Sequence, residues 1–510
     1  MKNLLQRPGP QLMQDVSKAL AATARAFPIP NSHKGDLPFA VRDLSRLLTA
    51  ERSDIGRSYW SAPRFVSAYL RYFLPWNLYR LAWLLPGLDC ITASAAGEEP
   101  RKVLDLGSGP LTLPLALWLA RPDLRSTPLH ITCADVASKP MEIGLAAFRS
   151  LAGKDSPWKV RLLRGHLDGI LAKSRERHDC IMAGNVLNEL QTGKGESLEE
   201  RLHALIALMS RKLSPGGRLL LIEPGTRLGG KLVALARNGA LAQGMRILAP
   251  CTHQGPCPAL EQPAYYAMSP EYTSWCHFVS PAVDIPPALA ELSKRAHLEK
   301  DGLAVSCMLL EKPLNGAEAN STISGSMQAD AEGFAGMEFP DELDELEALY
   351  QEIMEEDESG NGTFLRNTDT GKRGHGVSDL NAVERATPGH AESGRTAFGG
   401  TGQDRGASGR GSSVAQKGGA VKRDNAAKNI SGGNDLRQPE DEDIVRIISH
   451  PIRLPEQENS ARYACSARGL ALVLDAHTLP SGAAVRVDFS PKAERDRKSG
   501  ALLATWRRRK

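Results

Sequence analysis

The sequence is short of long apolar runs, of cysteines and of net charge. No stretch of the 510 residues is apolar for long enough to cross a bilayer, so we expect no membrane partner. The segment MKNLLQRPGPQLMQDV lacks the continuous apolar region of a secretory signal. Eight cysteines are too few for a disulfide scaffold at this length, which favours a reducing, cytoplasmic location. A formal net charge of +4 does not by itself indicate a nucleic-acid-binding protein.

Composition divides the chain into four segments. Residues 1–95 are expected to be mainly helical, and residues 96–312 alternate between strand and helix patterns. Residues 313–440 are first acidic and then rich in Gly, Ser and basic residues, which predicts a disordered linker because little apolar surface can be buried. Residues 441–510 predict a small β-rich module. Its basic tail, WRRRK, is either a phosphate-binding segment or a solvated end.

Aromatic and arginine residues alternate in SAYLRYFLPWNLYRL, around a break expected at Pro75. One interpretation is an amphipathic helix face packed on the next domain. The other is an arginine–aromatic surface for RNA. The sequence leaves both open.

The segment from residue 101 predicts an α/β fold with a parallel sheet and helices on both faces. A capping box, Ser197 with Glu200, marks the start of one long helix. A turn is expected at Ser214-Pro215-Gly216-Gly217. The expected strands cover residues 101–106, 130–134, 160–163, 180–183, 218–222 and 304–310.

The first strand ends in DLGSG, a glycine turn suited to a nucleoside cofactor. Gly107 and Gly109 allow a ligand to approach the backbone, and Asp105 can orient that ligand. Asp135, at the end of the second strand, can accept hydrogen bonds from ribose hydroxyls. Thr112 excludes the GxGxxG dinucleotide fingerprint. The pattern resembles the class I S-adenosylmethionine-dependent methyltransferases.

The fourth strand ends in GNVLNEL, at the sheet edge that faces a ligand. Asn185 is therefore a candidate for substrate contact, although Asn185 and Asn188 are equally suited to cap a helix. Methyl transfer depends on alignment more than on an acid or a base, so no catalytic residue is identified.

Three cysteines follow in APCTHQGPCPAL and SWCHF, namely Cys251, Cys257 and Cys276. Prolines keep the first segment stiff, and gathered thiolates suit either zinc or a [4Fe–4S] cluster. Scattered reduced cysteines are the alternative. Candidates for a fourth ligand are Cys307, Cys465, His253 and His277. The remaining cysteines, Cys90, Cys133 and Cys180, lie in apolar surroundings and are expected in the core.

These motifs occur in an order that resembles the Rsm-type small ribosomal subunit methyltransferase-like family. The motifs are SAYLRYFLPWNLYRL, VLDLGSGPLTLPLAL, NVLNEL, LIEPGT, APCTHQGPCP and SWCHF. The resemblance covers about residues 40–312 and, more faintly, residue 443 onwards.

The resemblance implies a class I methyltransferase (Rossmann-like) fold that associates with the small ribosomal subunit and its rRNA. It also implies a [4Fe–4S] cluster on Cys251, Cys257, Cys276 and a fourth cysteine in the C-terminal module, which points to Cys465. Cys307 is the second candidate. We expect a monomer that binds S-adenosylmethionine, either as an rRNA methyltransferase or as a noncatalytic assembly factor with an RNA-binding scaffold. The insert between the domains is longer than the family's usual connection.

Overall fold

The computed structural model describes residues 3–49, 59–92, 99–190, 196–260, 275–314, 442–449, 451–454 and 460–507. The expected linker lies almost wholly outside these residues, as do the last three residues of the basic tail.

The N-terminal segment is helical, as predicted. Its α-helices are α1 (Pro10–Ala26), α2 (Asn31–Thr49), α3 (Pro63–Ala68) and α4 (Leu74–Leu84). The expected break at Pro75 is wrong, because the helical path continues from α3 into α4 through a π-helical turn at Tyr69–Phe73. A π-helical turn bonds each N–H five residues back, and the shift in bonding accommodates a proline that has no N–H.

The aromatic side chains of this helix are packed in the core. Tyr72, Trp76 and Tyr79 are buried in one cluster with residues of the α/β sheet. The Tyr72 hydroxyl donates to the main-chain oxygen of Leu298 at 2.6 Å, and Arg71 donates to the main-chain oxygen of Phe27 at 2.7 Å. The packing interpretation is therefore right for these aromatic side chains.

Residues 101–311 build an eight-stranded sheet in the order β3-β2-β1-β4-β5-β8-β6, with β7 paired to β8. Strands β1 to β5 are parallel, and β8 runs antiparallel to β5, β6 and β7. The strands are β1 (Arg101–Leu106), β2 (Leu129–Asp135), β3 (Trp158–Arg164), β4 (His178–Gly184), β5 (Leu213–Pro224), β6 (Arg246–Ala249), β7 (Phe278–Pro281) and β8 (Gly302–Glu311).

Helices connect these strands and cover the sheet. They are α5 (Thr112–Ala120), α6 (Ser138–Ala152), α7 (Leu167–Lys173), α8 (Leu198–Lys212), α9 (Arg227–Ala242) and α10 (Pro287–Ala296). The predicted capping box is present, since Ser197 accepts from the Glu200 main chain and Glu200 accepts from that of Ser197. The turn expected at residues 214–217 is instead part of β5, where Gly216 and Lys312 are paired through the backbone.

The C-terminal module is a closed five-stranded barrel in the order β10-β11-β13-β12-β9. Neighbouring strands are antiparallel except β11 and β13, which are parallel. The strands are β9 (Ile444–Ile447), β10 (Arg462–Ser466), β11 (Gly469–Leu474), β12 (Ala484–Phe489) and β13 (Leu502–Trp506). Small and β-branched side chains fill the interior, as the short strands require.

The barrel packs directly on the α/β domain, and both belong to one compact unit. Leu470 and Leu472 of β11 are buried in the same cluster as Phe278 and Cys307 of the α/β domain. Arg446 donates to the main-chain oxygen of Pro250 at 2.8 Å. None of the helices in the described segments is long and apolar enough to cross a membrane.

Candidate functional sites

The glycine turn after β1 has the backbone that the sequence predicts. Gly107 and Gly109 have φ angles of +64° and +49°, in the left-handed region that favours glycine. Ser108 fixes the turn, because its hydroxyl donates to the Asp105 main-chain oxygen at 2.9 Å and accepts from the Ala134 N–H at 3.1 Å. A Cβ added to Gly107 would lie 2.3 Å from Cγ2 of Val186. The turn therefore admits little beyond glycine at this position.

A cavity opens beside the turn. Its lining combines the turn with the ends of β4 and β5 and with the N-terminal helices. The lining residues are Tyr69, Asn77, Arg80, Leu81, Asp105, Gly107, Ser108, Thr112, Leu113, Gly184, Asn185 and Ile222. Two of the predicted cofactor residues, Asp105 and Gly107, thus line one cavity with Asn185, whereas Gly109 and Asp135 are not part of its lining.

Asp105 carries a buried carboxyl with no hydrogen-bond partner on either oxygen. Burial raises its pKa, Ser108 partly opposes the shift and the nearby Asp135 adds to it, so that the pKa is about 8. A neutral carboxyl here at pH 7 is suited to ionise when a cationic ligand group arrives.

Asp135 has a different environment from the one expected. Its Oδ2 accepts from the Gly109 N–H at 2.8 Å and its Oδ1 accepts from the Ala137 N–H at 3.0 Å. The side chain does not line the cavity. Asp135 therefore braces the glycine turn from behind, and any ribose contact would use its remaining lone pairs.

Asn185 lies at the end of β4 with a φ of +60°, and its N–H donates to the Ile222 main-chain oxygen at 2.8 Å. The short helical turn that follows, Leu187–Glu189, has Val186 at its N-cap and no side-chain cap hydrogen bond. The structure therefore does not support a capping role for Asn185 or Asn188.

The N-terminal segment supplies the part of the cavity that sequence reasoning missed. Arg80 of α4 donates to Asn77 Oδ1 at 2.5 Å, and its buried Nε has no partner. Burial lowers the pKa of this guanidinium to about 10. Trp60 lies over the turn, with Cζ2 3.5 Å from a Cβ built on Gly109. The only sequence signal for this wall was the arginine–aromatic segment itself.

A second cavity, of about 380 Å³, lies between the α/β domain and the barrel. Four cysteines from three separate parts of the chain line it: Cys251 and Cys257 from the loop after β6, Cys276 from the segment before β7, and Cys465 from β10. We call it the four-cysteine cavity. The rest of its lining is mainly apolar, and includes Val233, Ala234, Pro258, Met308, Ile448 and Leu470.

Hydrogen bonds hold the cysteine segments in place. The side chain of Gln254 pairs with both the N–H and the oxygen of Ile247, each at 2.8 Å. Trp275 donates from Nε1 to the Gly225 oxygen at 3.0 Å, and Ser306 donates to the Cys276 oxygen at 2.7 Å. The loops therefore present their thiols from a braced backbone.

The other three candidates for a fourth ligand are placed differently. Cys307 is 1 % exposed in β8 and lies outside the cavity lining. His277 stacks on the Trp275 ring at 4.6 Å, and its Nδ1 lies 2.9 Å from the Trp275 oxygen. His253 approaches Cys465, with 3.3 Å between Nε2 and Sγ. Cys465 is thus the candidate that shares the cavity with the other three cysteines.

Two arginines lie near the cysteines of this cavity: Arg237, which lines it, and Arg446 of the barrel. Arg237 of α9 is 0 % exposed and donates from Nη2 to the Gly255 oxygen, while its Nε and Nη1 have no partner. Arg446 of the barrel lies close enough to influence Cys251, Cys276 and Cys465. An unpaired guanidinium is costly to bury, so Arg237 favours negative charge in this cavity, such as the charge of ionised thiols.

Burial raises the pKa of Cys257, Cys276 and Cys465, and the neighbouring thiols raise it further. Arg237 opposes the rise at Cys257 and Cys465. Such thiols ionise together only when a cation is bound among them.

Zinc and a [4Fe–4S] cluster place different demands on their cysteine ligands. Among the described residues, no three His, Cys, Asp or Glu side chains are arranged to hold a single metal ion. A zinc ion needs its four sulfurs about 2.3 Å from one centre. A [4Fe–4S] cluster binds each thiolate through a different iron atom, so it fits a wider ring of cysteines. Four cysteines on one mainly apolar cavity are a donor set that either a zinc ion or a [4Fe–4S] cluster can use.

Cys90, Cys133 and Cys180 are each 0 % exposed in the core, as predicted.

The fold defines the class of the α/β domain. The parallel order 3-2-1-4-5, followed by an antiparallel strand inserted before the edge strand β6, differs from the all-parallel dinucleotide-binding sheet. It is the architecture of a class I S-adenosylmethionine-dependent methyltransferase fold, as the sequence predicts.

Family comparison agrees with this class. Residues 66–284 match the family described as mitochondrial small ribosomal subunit Rsm22. The resemblance expected from the motifs is therefore confirmed over that segment. The search of curated proteins found no match.

Solved structures similar to the chain include three methyltransferases. A protein from Streptococcus mutans described as a SAM-dependent methyltransferase is 14% identical, with 44% of this chain and 47% of that chain covered and a TM-score of 0.27. TrmN from Thermus thermophilus is 18% identical, with coverages of 48% and 53% and a TM-score of 0.26. A methyltransferase from Pyrococcus furiosus is 11% identical, with coverages of 42% and 77% and a TM-score of 0.25. The chain spans about half the length of the first two proteins, and the fold class rests on the strand order.

Proposed function

We propose that the protein binds S-adenosylmethionine in the cavity beside the glycine turn. The ligand is a cation with an amino-acid end, and the cavity offers an unpartnered carboxyl on Asp105 and an unpartnered Nε on Arg80. Asp105 would meet the ammonium group and Arg80 the carboxylate, since opposite charges satisfy both buried groups.

Calorimetry with S-adenosylmethionine and its demethylated product tests this proposal. We expect both to bind the wild type and Asp105→Ala to bind neither tightly. Failure of the wild type to bind either ligand would remove the cofactor from the account.

We further propose that the four-cysteine cavity holds a [4Fe–4S] cluster on Cys251, Cys257, Cys276 and Cys465. The observation that carries this proposal is the convergence of four thiols and the buried, partly unpaired Arg237 on one apolar cavity. When bound, such a cluster supplies a net negative charge with its thiolates and a bond between two domains. Cys465 would attach the barrel to the three cysteines of the α/β domain.

We infer from the family match that the protein acts with the small ribosomal subunit and its rRNA. Methylation of rRNA is the first candidate activity, and Asn185, which lines the cavity, is its candidate for contact with the acceptor. A noncatalytic role in subunit assembly, with the methyltransferase fold as an RNA-binding scaffold, is the second candidate. A cytoplasmic location stays a prediction from the cysteine content.

The two candidates differ in what a blocked cofactor site does. Gly107→Arg places a side chain where a Cβ already meets Val186 at 2.3 Å, so cofactor binding should be lost. If the protein is a methyltransferase, rRNA methylation falls to background while the variant still associates with the subunit. Unchanged methylation, with association retained, would support the assembly role instead.

A further inference from the structure

The barrel has the connectivity of an oligonucleotide- and oligosaccharide-binding fold. Its five strands close in the order one-two-three-five-four, and the third and fifth strands, β11 and β13, form its parallel pair. Barrels of this fold bind ligands on their second and third strands and on the loops that join strands one to two and four to five.

The usual ligand face of this barrel is covered. The outward side chains of β10 and β11, among them Tyr463, Leu470 and Leu472, pack in the core cluster shared with the α/β domain. Cys465, also on β10, lines the four-cysteine cavity. A ligand of the barrel must therefore use another surface.

The loop between the fourth and fifth strands remains open to solvent. We call residues 490–501 the basic loop, because it carries four exposed cations: Lys492, Arg495, Arg497 and Lys498. Its two acids are occupied within the loop. Glu494 accepts from Ser490 at 3.2 Å, and Asp496 accepts from the Ser499 hydroxyl at 2.6 Å.

The basic loop has a defined shape. The Asp496 N–H donates to the Ala501 oxygen at 2.8 Å, and the Gly500 N–H donates to the Asp496 oxygen at 2.8 Å. Arg495 donates to the Gly500 oxygen at 2.8 Å. At the base of the loop, the Arg468 guanidinium lies over the half-buried Phe489 ring, 4.9 Å from its centroid. The loop backbone is thus held in a defined conformation, next to an aromatic ring and a guanidinium plane.

We propose that the basic loop is a binding surface for single-stranded RNA. Lys492, Arg497 and Lys498 neutralise backbone phosphates, and the Arg468–Phe489 pair offers a stacking surface for a base. This proposal rests on the proposed association with rRNA, and it assigns part of that contact to the barrel. Phosphate contacts of this kind release counterions, so affinity depends steeply on salt.

The test is fluorescence anisotropy with a labelled twelve-nucleotide oligouridylate and the full chain, from 50 to 200 mM salt. The variant is Lys492→Gln/Arg497→Gln/Lys498→Gln, which spares Arg495 because that side chain braces the loop. The salt slope is the change in log affinity per change in log salt concentration, and each lost phosphate contact lowers it by about 0.7. For three lost contacts, the loss of affinity between 50 and 200 mM salt should therefore be about twentyfold smaller in the variant than in the wild type. The control replaces three exposed lysines of the α/β domain, Lys154, Lys159 and Lys173, by glutamine.

We expect the control to bind as the wild type does. The proposal is overturned if the loop variant keeps the wild-type affinity and salt slope, or if the control variant loses as much affinity as the loop variant. It is also overturned if polyglutamate competes for the protein as strongly as unlabelled oligouridylate does. Iron content and cofactor calorimetry on the same preparations separate the two proposals. A wild type that binds the oligonucleotide, with a loop variant that binds it equally well, contradicts the basic loop alone. A wild type that holds cofactor and cluster but binds no RNA contradicts the proposed association with rRNA as well.

Discussion

Replacing Cys465 by serine should release the barrel from the α/β domain. Cys276 and Cys465 are 189 positions apart in the chain, so a cluster bound to both closes a long loop. By chain entropy, a cross-link that closes a loop of this size restricts the unfolded chain by about 5 kcal/mol. Since real cross-links often deliver less, we expect Cys465→Ser to lower the free energy of unfolding by about 2–5 kcal/mol. At about 2.1 cal/mol/K of unfolding entropy per residue, this corresponds to a fall in Tm of about 2–5 °C for a chain of 510 residues.

The assay is anaerobic thermal unfolding of purified protein, with iron and acid-labile sulfide measured on the same samples. Cys307→Ser is the matched control, because Cys307 is a buried cysteine of β8 that lies outside the lining of the four-cysteine cavity. It should keep its iron and lose only the packing of one buried thiol. Limited proteolysis should cleave the barrel from Cys465→Ser faster than from the control. The reasoning is refuted if Cys307→Ser loses the iron while Cys465→Ser retains it.

Three other predictions concern the two cavities. Arg237→Met removes a buried cation and two unpartnered donors. Because a charged hydrogen bond contributes about 1.5–3 kcal/mol, we expect the reduction potential of the cluster to fall by about 60–130 mV. Anaerobic redox titration measures this potential, with Arg237→Lys as the control. An unchanged potential would count against the assignment. Asp105, with a pKa raised to about 8, should release close to one proton when cofactor binds at pH 7, seen by calorimetry in two buffers, and Asp105→Asn should release none. Because the pKa of Asp105 is about 8 in the folded protein and 3.8 as its ordinary value, the free energy of unfolding should also decline as pH rises from about 4 to about 8. Asp105→Asn should lack this part of the pH dependence. In Gly107→Ala the alanine must adopt a left-handed φ and its Cβ meets Val186, so the affinity for the cofactor should drop at least tenfold. Gly153 also has a positive φ but has open space around it, so the control Gly153→Ala should leave the affinity unchanged.

The α/β domain was predictable because its signals are local. Each buried strand of the parallel sheet is a short apolar run followed by a turn, and residues 101–106 form β1 as predicted. The capping box at Ser197 is local in the same sense. Pro75 was misjudged because sequence alone does not show that a π-helical turn precedes it.

The barrel and the two cavities depend on contacts between distant residues. Strand β10 is only five residues long and alternates weakly, so its presence was not predicted although Cys465 was singled out. Arg80 and Arg237 lie in ordinary helical patterns, and nothing in their spacing shows that one borders the cofactor cavity and the other the cysteines. Asp135 was expected in the ligand site, but its position behind the turn is set by the Gly109 N–H.

The most direct test of the account is the metal content of the wild-type chain purified without oxygen. If Cys251, Cys257, Cys276 and Cys465 hold a [4Fe–4S] cluster, the protein is brown and contains about four iron and four sulfide per chain. A colourless protein with one zinc ion, or with no metal and four free thiols, would contradict it.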